Sequence, residues 1–223
     1  MHLPLPLALL TASVMVVGGH ENVPRTPTVQ DAAGVLVGRV VLPETVSRRW
    51  ASRYPGAGQT NDRVHAVPAV VWLEGDLPAV AGDGGTARIE QAEGRFSPGA
   101  LAVPVGTTIS FPNADPFYHN VFSYSGPRFD LGRYSVGDSR SVTFSEPGVV
   151  QVFCEIHEFM RAVVVVTDHG FHAVVDAAGG FRMSDVPDGE YVLHVFHPDA
   201  GTREVAVTIR NGVETSADVV YGS

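Results

Sequence analysis

The sequence contains no lysine and a single cysteine, and both facts limit what the chain can do. Without lysine, it has neither a phosphate-binding P-loop lysine nor a lysine that could form a Schiff base with a substrate. With Cys154 alone, an intrachain disulfide is impossible, so the fold must be stabilised by its core. Cationic side chains are also outnumbered: the formal net charge is -9, which disfavours binding to nucleic acid.

Long runs of strong helix-forming residues are missing as well, whereas 24 glycines and 16 prolines are spread along the chain. Short stretches rich in valine and aromatic residues alternate with turn-forming residues, which is typical of β-strands joined by tight turns. We therefore expect an all-β protein. Its 223 residues suit one large β-domain or two small ones, and the hydrophobic share of 44% is enough for a core.

The N-terminal residues 1–20 are mostly apolar, and the chain becomes polar directly after them. The apolar run from Leu3 to Val17 has the length of the central region of a signal peptide and is short for a membrane span. No arginine or lysine precedes it, so two interpretations stay open: a cleaved signal peptide and an uncleaved N-terminal anchor. Either one predicts a periplasmic, cell-envelope or secreted protein with no further transmembrane segment.

Four potential metal ligands stand in a restrictive pattern. The segment VQVFCEIHEFMRAVVVV places Cys154, His157 and Met160 in the spacing C-x2-H-x2-M between two strand-like stretches, and His119 begins an earlier one in FPNADPFYHNVF. Two imidazoles, a thiolate and a weak axial thioether are the ligands of a blue, or type 1, copper site. Zinc rarely takes a thioether, and iron–sulfur clusters need more cysteines. The sequence therefore predicts one type 1 copper ion held by these four side chains.

Residues 87–167 resemble a cupredoxin. The ligand loop is similar in length to that of amicyanin, in which an arginine also follows C-x2-H-x2-M, and the run FSPGALAVPVGTTISFPN through HNVF and FDLG resembles plastocyanin-like methylamine-utilisation proteins. This resemblance implies a Greek-key β-sandwich, and it implies that Asn120 secures the loop that carries Cys154. Amicyanin has a proline where this sequence has Glu158, which places a carboxylate near the exposed edge of the ligand histidine.

Two other regions resemble a carboxypeptidase-regulatory-like, transthyretin-like β-sandwich. Its features D-x-x-G-x-F and V-P-x-G-x-Y occur in FHAVVDAAGGFRMSDVPDGEYVLHVFHP, and its first two strands occur far upstream, as GRVVL and AVVWLEG. The resemblance implies one discontinuous domain, residues 33–76 and 168–222, with the cupredoxin domain inserted into it. The alternative is two sequential domains, with the early strands joining the copper-binding sandwich.

The expected function is single-electron transfer between redox partners, such as a c-type cytochrome or a dehydrogenase, through the edge of His157. Pro116, Phe117, Tyr118 and Phe159 lie near that edge in sequence and would form an apolar docking patch. One alternative is a copper-binding or copper-storage protein of the cell envelope without redox turnover. Another is a surface adhesion or sugar-binding module that retains a vestigial copper loop.

The sequence does not predict an enzyme. A protease-like cysteine–histidine dyad would need a third, orienting group and an oxyanion hole, and neither is indicated. A multicopper oxidase or nitrite reductase would need further histidines, for which the candidates are His169 with His172 and His194 with His197. On a strand, residues three apart face opposite sides, so we expect these pairs to be surface or core-edge residues.

Overall fold

A computed structural model describes residues 33–43, 67–80, 84–210 and 212–222. Within these ranges the chain forms β-strands and no helix, which confirms the all-β prediction. The strands are β1 Gly34–Val41, β2 Val70–Glu74, β3 Thr86–Arg88, β4 Glu90–Ala92, β5 Arg95–Ser97, β6 Ala100–Pro104, β7 Thr108–Pro112, β8 His119–Ser123, β9 Phe129–Tyr134, β10 Ser139–Thr143, β11 Gly148–Phe153, β12 Arg161–Thr167, β13 His172–Val174, β14 Gly180–Val186, β15 Gly189–His197, β16 Gly201–Ile209, β17 Glu214–Ser216 and β18 Val219–Val220.

The described part of the chain has no helix with the length and apolar character needed to cross a membrane. The segment interpreted as a signal peptide or anchor, residues 1–20, lies outside the described residues.

The first two strands and the last six form two sheets that we name the flanking sandwich (β1, β2 and β13–β18). One sheet has the order β14-β1-β17, with β18 also paired to β1, and the other has the order β13-β2-β15-β16. Their facing side chains form one apolar core that includes Leu36, Leu73 and Leu193, all fully buried. The early strands thus pair with C-terminal strands. The domain boundaries drawn from the sequence and the transthyretin-like assignment remain predictions.

Strand β1 depends on Gly38 for its close contact with the strands beside it. A Cβ atom at this position would lie 2.0 Å from the carbonyl oxygen of Ala217 and 2.7 Å from the ring of Phe181. Phe181 is the Cα partner of Gly38 on β14. A glycine inside a strand is expected where another part of the chain approaches this closely.

Strands β3–β12 form the middle sandwich, which carries the four predicted metal ligands. Its larger sheet has the order β6-β12-β11-β8-β9, its smaller sheet has the order β10-β7-β3, and β4 pairs with β5 in a separate hairpin. Ile109, Phe111, Phe144 and Val164 are fully buried in its core. This architecture is consistent with the Greek-key β-sandwich expected from the sequence.

The valine run of β12 is buried on both of its faces. Val164 and Val166 belong to the core of the middle sandwich, whereas Val163 and Val165 share another apolar cluster with Val70 of β2. Because consecutive side chains of a strand point to opposite faces, such a run needs an apolar partner on each side. The flanking sandwich provides the second partner by covering part of the outer face of the larger sheet.

Candidate metal centre

Three neighbouring strands bring the predicted ligands to one end of the larger sheet. His119 is the first residue of β8, Cys154 follows the last residue of β11, and Met160 directly precedes β12. Strands β11 and β12 are antiparallel, and the pair formed by Phe153 and Arg161 closes the loop between them. Because β8 lies next to β11, the side chain of His119 is presented beside that loop.

The side chains of His119, Cys154 and His157 converge. The Cys154 Sγ atom lies 3.8 Å from Nδ1 of His119 and 3.8 Å from Nδ1 of His157, and the two Nδ1 atoms are 3.1 Å apart. All three donor atoms lie within 4.8 Å of one another, and they are the one such group found among the described residues. A single ion placed between them could contact one sulfur and two nitrogen donors. Soft thiolate with imidazole suits copper or zinc.

Met160 ends the loop that carries Cys154 and His157. It is 1% exposed and belongs to the same apolar cluster as Cys154. Its backbone N–H donates a 2.9 Å hydrogen bond to the carbonyl of His157, and its own carbonyl accepts one of 3.3 Å from the N–H of Cys154. These two bonds hold the ligand loop closed. The role of Met160 as the fourth ligand remains a prediction.

Asn120 joins β8 to the ligand loop. Its side-chain oxygen accepts a 2.6 Å hydrogen bond from the backbone N–H of Glu155, the residue after Cys154. Asn120 is only 2% exposed, so water cannot readily replace this bond. The contact fixes the start of the loop relative to His119, and the supporting role of Asn120 at a copper site stays a prediction.

Asp115 also supports the site, and the sequence interpretation missed it. Its carboxylate accepts a 2.8 Å hydrogen bond from Nε2 of His119 and bonds of 2.7 and 2.9 Å from the backbone N–H groups of Glu93 and Gly94. Burial would raise the pKa of Asp115, but these bonds outweigh burial and lower the pKa. Because Nε2 of His119 donates to the carboxylate, its Nδ1 lone pair is left for a metal. The signal for this residue in the sequence is the spacing D-x3-H.

The local electrostatics favour the metal-binding form of the thiol. Burial would raise the pKa of Cys154, but the His119 imidazole and nearby backbone N–H groups outweigh burial and lower the pKa. Burial would lower the pKa of His119, yet Cys154 and Asp115 together raise it. The pKa of His157 is lowered, first by burial and then by the charge of His119. A thiolate and a neutral imidazole are the states in which these side chains bind a metal. The shifts at Cys154 and His157 therefore favour binding, whereas His119 has to lose its proton when a metal binds.

Two phenylalanine rings lie beside the partly exposed ring of His157. The rings of Phe117 and Phe159 lie 5.3 and 5.8 Å from it, measured between ring centroids. Phe117, Tyr118 and Ile156 are 43%, 60% and 38% exposed, and Tyr118 and Ile156 directly precede the ligand histidines His119 and His157 in the chain. We name Phe117, Tyr118, Ile156 and Phe159 the apolar rim. The sequence interpretation named three of these residues and missed Ile156.

The two other residues noted near the ligand histidine, Pro116 and Glu158, are both exposed. Glu158 therefore adds a carboxylate at the surface next to the apolar rim, at the position where amicyanin has a proline.

The remaining histidine pairs occupy other parts of the fold. All four residues are buried or half-buried and each has a polar partner close by. These partners are the Leu73 carbonyl for His169, the Thr167 hydroxyl for His172, the Glu74 carboxylate for His194 and the backbone N–H of Asp199 for His197. None of the four belongs to a group of possible metal ligands found among the described residues.

Two facing sheets with a His–Cys–His cluster at one end are the arrangement expected from the resemblance to a cupredoxin, a small copper-binding β-sandwich. The sequence agrees: residues 85–167 match the family of copper binding proteins described as plastocyanin/azurin. The match spans less than half of the chain and contains all four predicted ligands. The chain therefore contains a cupredoxin domain, and its cofactor is one copper ion. No curated protein matches the sequence.

Several solved structures resemble part of the chain. A Cu-containing nitrite reductase from Thermus scotoductus SA-01 is 28% identical with a TM-score of 0.35, and the match covers 36% of this chain and 22% of the reductase. A purple cupredoxin from Nitrosopumilus maritimus is 29% identical with a TM-score of 0.34, covering 36% of this chain and 99% of that one. A Cu(I) amicyanin with a methionine-to-alanine substitution is 25% identical with a TM-score of 0.34, covering 43% and 97%.

Asp115→Asn should weaken copper binding and raise the reduction potential. The carboxylate makes the His119 imidazole a stronger donor, which favours the more highly charged Cu(II), and a neutral amide removes that effect. Loss of such a supporting group typically costs about 10- to 100-fold in metal affinity. Competition titration and voltammetry measure both quantities, with Asp138→Asn, an exposed carboxylate of the β9–β10 turn, as the control. An unchanged potential in Asp115→Asn would contradict the proposed role of this carboxylate.

Proposed function

We propose that this protein is a type 1 copper electron carrier of the periplasm or cell envelope, with His119, Cys154, His157 and Met160 as its ligands. One observation carries the proposal: two imidazole nitrogens and one thiolate sulfur converge within 4.8 Å at the ends of adjacent strands. Imidazole, thiolate and a weak thioether together are the donors of blue-copper electron-transfer sites. The bound copper supplies a couple that gains and loses one electron.

The ligand frame is held in place by buried hydrogen bonds. Asp115 fixes the ring of His119 at 2.8 Å, and Asn120 fixes the loop at Glu155 at 2.6 Å. The loop is further closed by the backbone bonds from Cys154 N–H to the Met160 carbonyl and from Met160 N–H to the His157 carbonyl. Donor atoms held in this way move little when the ion changes its charge, so electron transfer has a small reorganisation barrier. A storage protein instead has to release its ion, and ligands held this firmly oppose release.

The apolar rim supports an electron route through His157. Its ring is the partly exposed ligand of the site, since His119 is fully buried and Cys154 is 3% exposed. Short-lived redox complexes use small contact areas, and an exposed apolar patch around the transfer point suits them. The partner is another redox protein, such as a c-type cytochrome or a dehydrogenase, which docks over the rim.

Electron self-exchange between two copies of the copper-loaded chain tests this route. In Ile156→Asp, a carboxylate on each copy is brought to the contact, and like charges facing each other slow the encounter. We expect a self-exchange rate at least about tenfold lower, which corresponds to about 1.4 kcal/mol in the barrier. Nuclear magnetic resonance line broadening in mixtures of the oxidised and reduced protein measures the rate.

Val213→Asp is the matched control for this experiment. Val213 is 54% exposed and follows β16 of the flanking sandwich. The substitution therefore changes the net charge equally and leaves the rim intact. Its self-exchange rate should equal that of the unaltered protein. If the two variants slow the reaction equally, the route through His157 is wrong. If the unaltered protein shows no self-exchange and releases Cu(I) to a chelator within seconds, the storage function is favoured.

A further inference from the structure

One ion pair connects the flanking sandwich to the end of the ligand loop. The Arg161 guanidinium binds both carboxylate oxygens of Asp199, with 2.7 Å between Nη1 and Oδ1. Arg161 is the first residue of β12 in the middle sandwich, and Asp199 lies in the turn between β15 and β16 of the flanking sandwich. The two side chains are only 10% and 16% exposed. The pair is therefore protected from solvent.

Arg161 is next to two of the proposed ligands. It follows Met160 in the chain, and it is the strand partner of Phe153, the residue that precedes Cys154. The ligand loop thus begins and ends at this one residue pair. A displacement of the Arg161 backbone is passed to Met160 through a single peptide bond.

Asp199 is itself held firmly by its own sandwich. Its backbone N–H donates a 3.2 Å hydrogen bond to Nδ1 of His197, which is 3% exposed, and the N–H of Ala200 donates to the His197 carbonyl at 3.2 Å. Phe196 packs against the apolar cluster that contains Val163 of β12. The Asp199 carboxylate therefore lies in a turn that is held in place, beside the contact between the flanking sandwich and β12.

A bidentate contact between an arginine and a carboxylate is strong and specific in its geometry. Moving Arg161 away would leave two nearly buried charges without each other, which is strongly unfavourable. We infer that Asp199 is a positioning residue for the copper site: by holding Arg161, it sets the place of Met160 and adjusts the reduction potential from the flanking sandwich. This inference rests on the proposed function.

Asp199→Asn in the full copper-loaded chain is the first test. The amide keeps the shape of the side chain but loses the charge-assisted pair, so the loop end should shift. We expect the equilibrium constant for copper reduction to change at least threefold, which is about 28 mV at about 59 mV per tenfold change. The intensity ratio of the visible bands should change as well, because it reports the ligand geometry. Glu214→Gln is the control, since it removes one charge from the exposed Arg182–Glu214 pair of the same sandwich.

A double variant separates positioning from a direct effect of charge. Arg161→Gln with Asp199→Asn removes one positive and one negative charge, so the net charge is unchanged. If Asp199 acts by positioning, the double variant keeps the altered potential and spectrum. If both return to those of the unaltered protein, the effect is purely electrostatic and the inference is wrong. Asp199→Glu retains the charge but displaces it by one methylene, and it decides the matter if Asp199→Asn does not fold.

Hydrogen–deuterium exchange of the copper-free protein gives a readout that needs no metal. Amides of residues 154–160 should exchange several-fold faster in Asp199→Asn than in the control. If the unaltered chain has no blue band, the proposed function fails and the inference fails with it. If the unaltered chain is blue but Asp199→Asn and Glu214→Gln behave alike in potential, spectrum and exchange, only the inference is overturned.

Discussion

Cys154→Ser abolishes the intense visible absorption of the copper-loaded protein. This absorption arises from charge transfer between a thiolate and copper, and Cys154 is the only cysteine in the chain. A serine hydroxyl fills nearly the same space, but it is a hard oxygen donor that stays protonated at neutral pH, so it cannot replace a soft thiolate. We expect almost all of the band to disappear. Loss of a group that only supports a ligand costs about 10- to 100-fold in metal affinity, and the affinity for Cu(I) should fall by more than that when the ligand itself is lost.

Val152→Thr is the matched control for this substitution. Val152 is fully buried on β11 and belongs to the same apolar cluster as Cys154. The threonine adds a hydroxyl to that core at nearly constant volume and leaves every donor atom in place. The blue band should persist in this variant. An intense band that survives in Cys154→Ser would contradict the ligand assignment, and its loss in both variants would indicate general damage to the sandwich.

Leu36→Ala should lower the free energy of unfolding by about 2 to 5 kcal/mol, the usual cost of this change in a core. Leu36 lies on β1 and is fully buried, with 0% exposure, in the core that β1 shares with the C-terminal strands. Its Cα partner on β14 is Met183. The cavity left by alanine would therefore open between the two sheets of the flanking sandwich. Urea denaturation of the copper-free chain measures the change.

Val41→Ala controls for position on the same strand. Val41 is 48% exposed at the end of β1, so its truncation should change the free energy of unfolding by no more than about 0.5 kcal/mol. Equal effects of the two substitutions would show that β1 does not pack in the flanking sandwich. That result would favour the alternative in which the early strands belong to the copper-binding sandwich.

The fold class and the metal were predictable because the decisive residues are close in sequence and chemically restrictive. Cys154 and His157 stand in one short loop, and a loop between two paired strands has little freedom in where it places its side chains. The all-β prediction is confirmed by the strands, and copper by the family match. The roles of His119, Cys154, His157 and Met160 as the four copper ligands rest on the same pattern and stay predictions.

The residues that support the site were harder to find because their partners become neighbours only in the folded chain. The carboxylate of Asp115 accepts hydrogen bonds from backbone N–H groups of the β4–β5 hairpin, which lie 22 and 21 residues earlier in the chain. Asp199 is far from Arg161 in sequence, and no local pattern links an acidic turn residue to the start of β12. An isoleucine such as Ile156 is expected to be buried, and only the conformation of the loop exposes it.

The valine run of β12 illustrates a signal that is visible in the sequence but incomplete. Consecutive valines predict a strand that is buried on both faces, yet they do not say what covers the second face. In the folded chain, Val163 and Val165 meet the cluster around Val70 of the flanking sandwich. The covering partner comes from strands that are distant in sequence, so it follows from the topology and not from the run itself.

Reductive titration of the Cu(II)-loaded full chain, followed by its visible absorption, tests the central claim most directly. The account predicts an intense blue band that bleaches with one electron per copper and returns fully on reoxidation, with the copper retained throughout. A weakly absorbing protein, or one whose copper passes to a chelator as soon as it is reduced, would contradict the electron carrier and favour copper binding or storage.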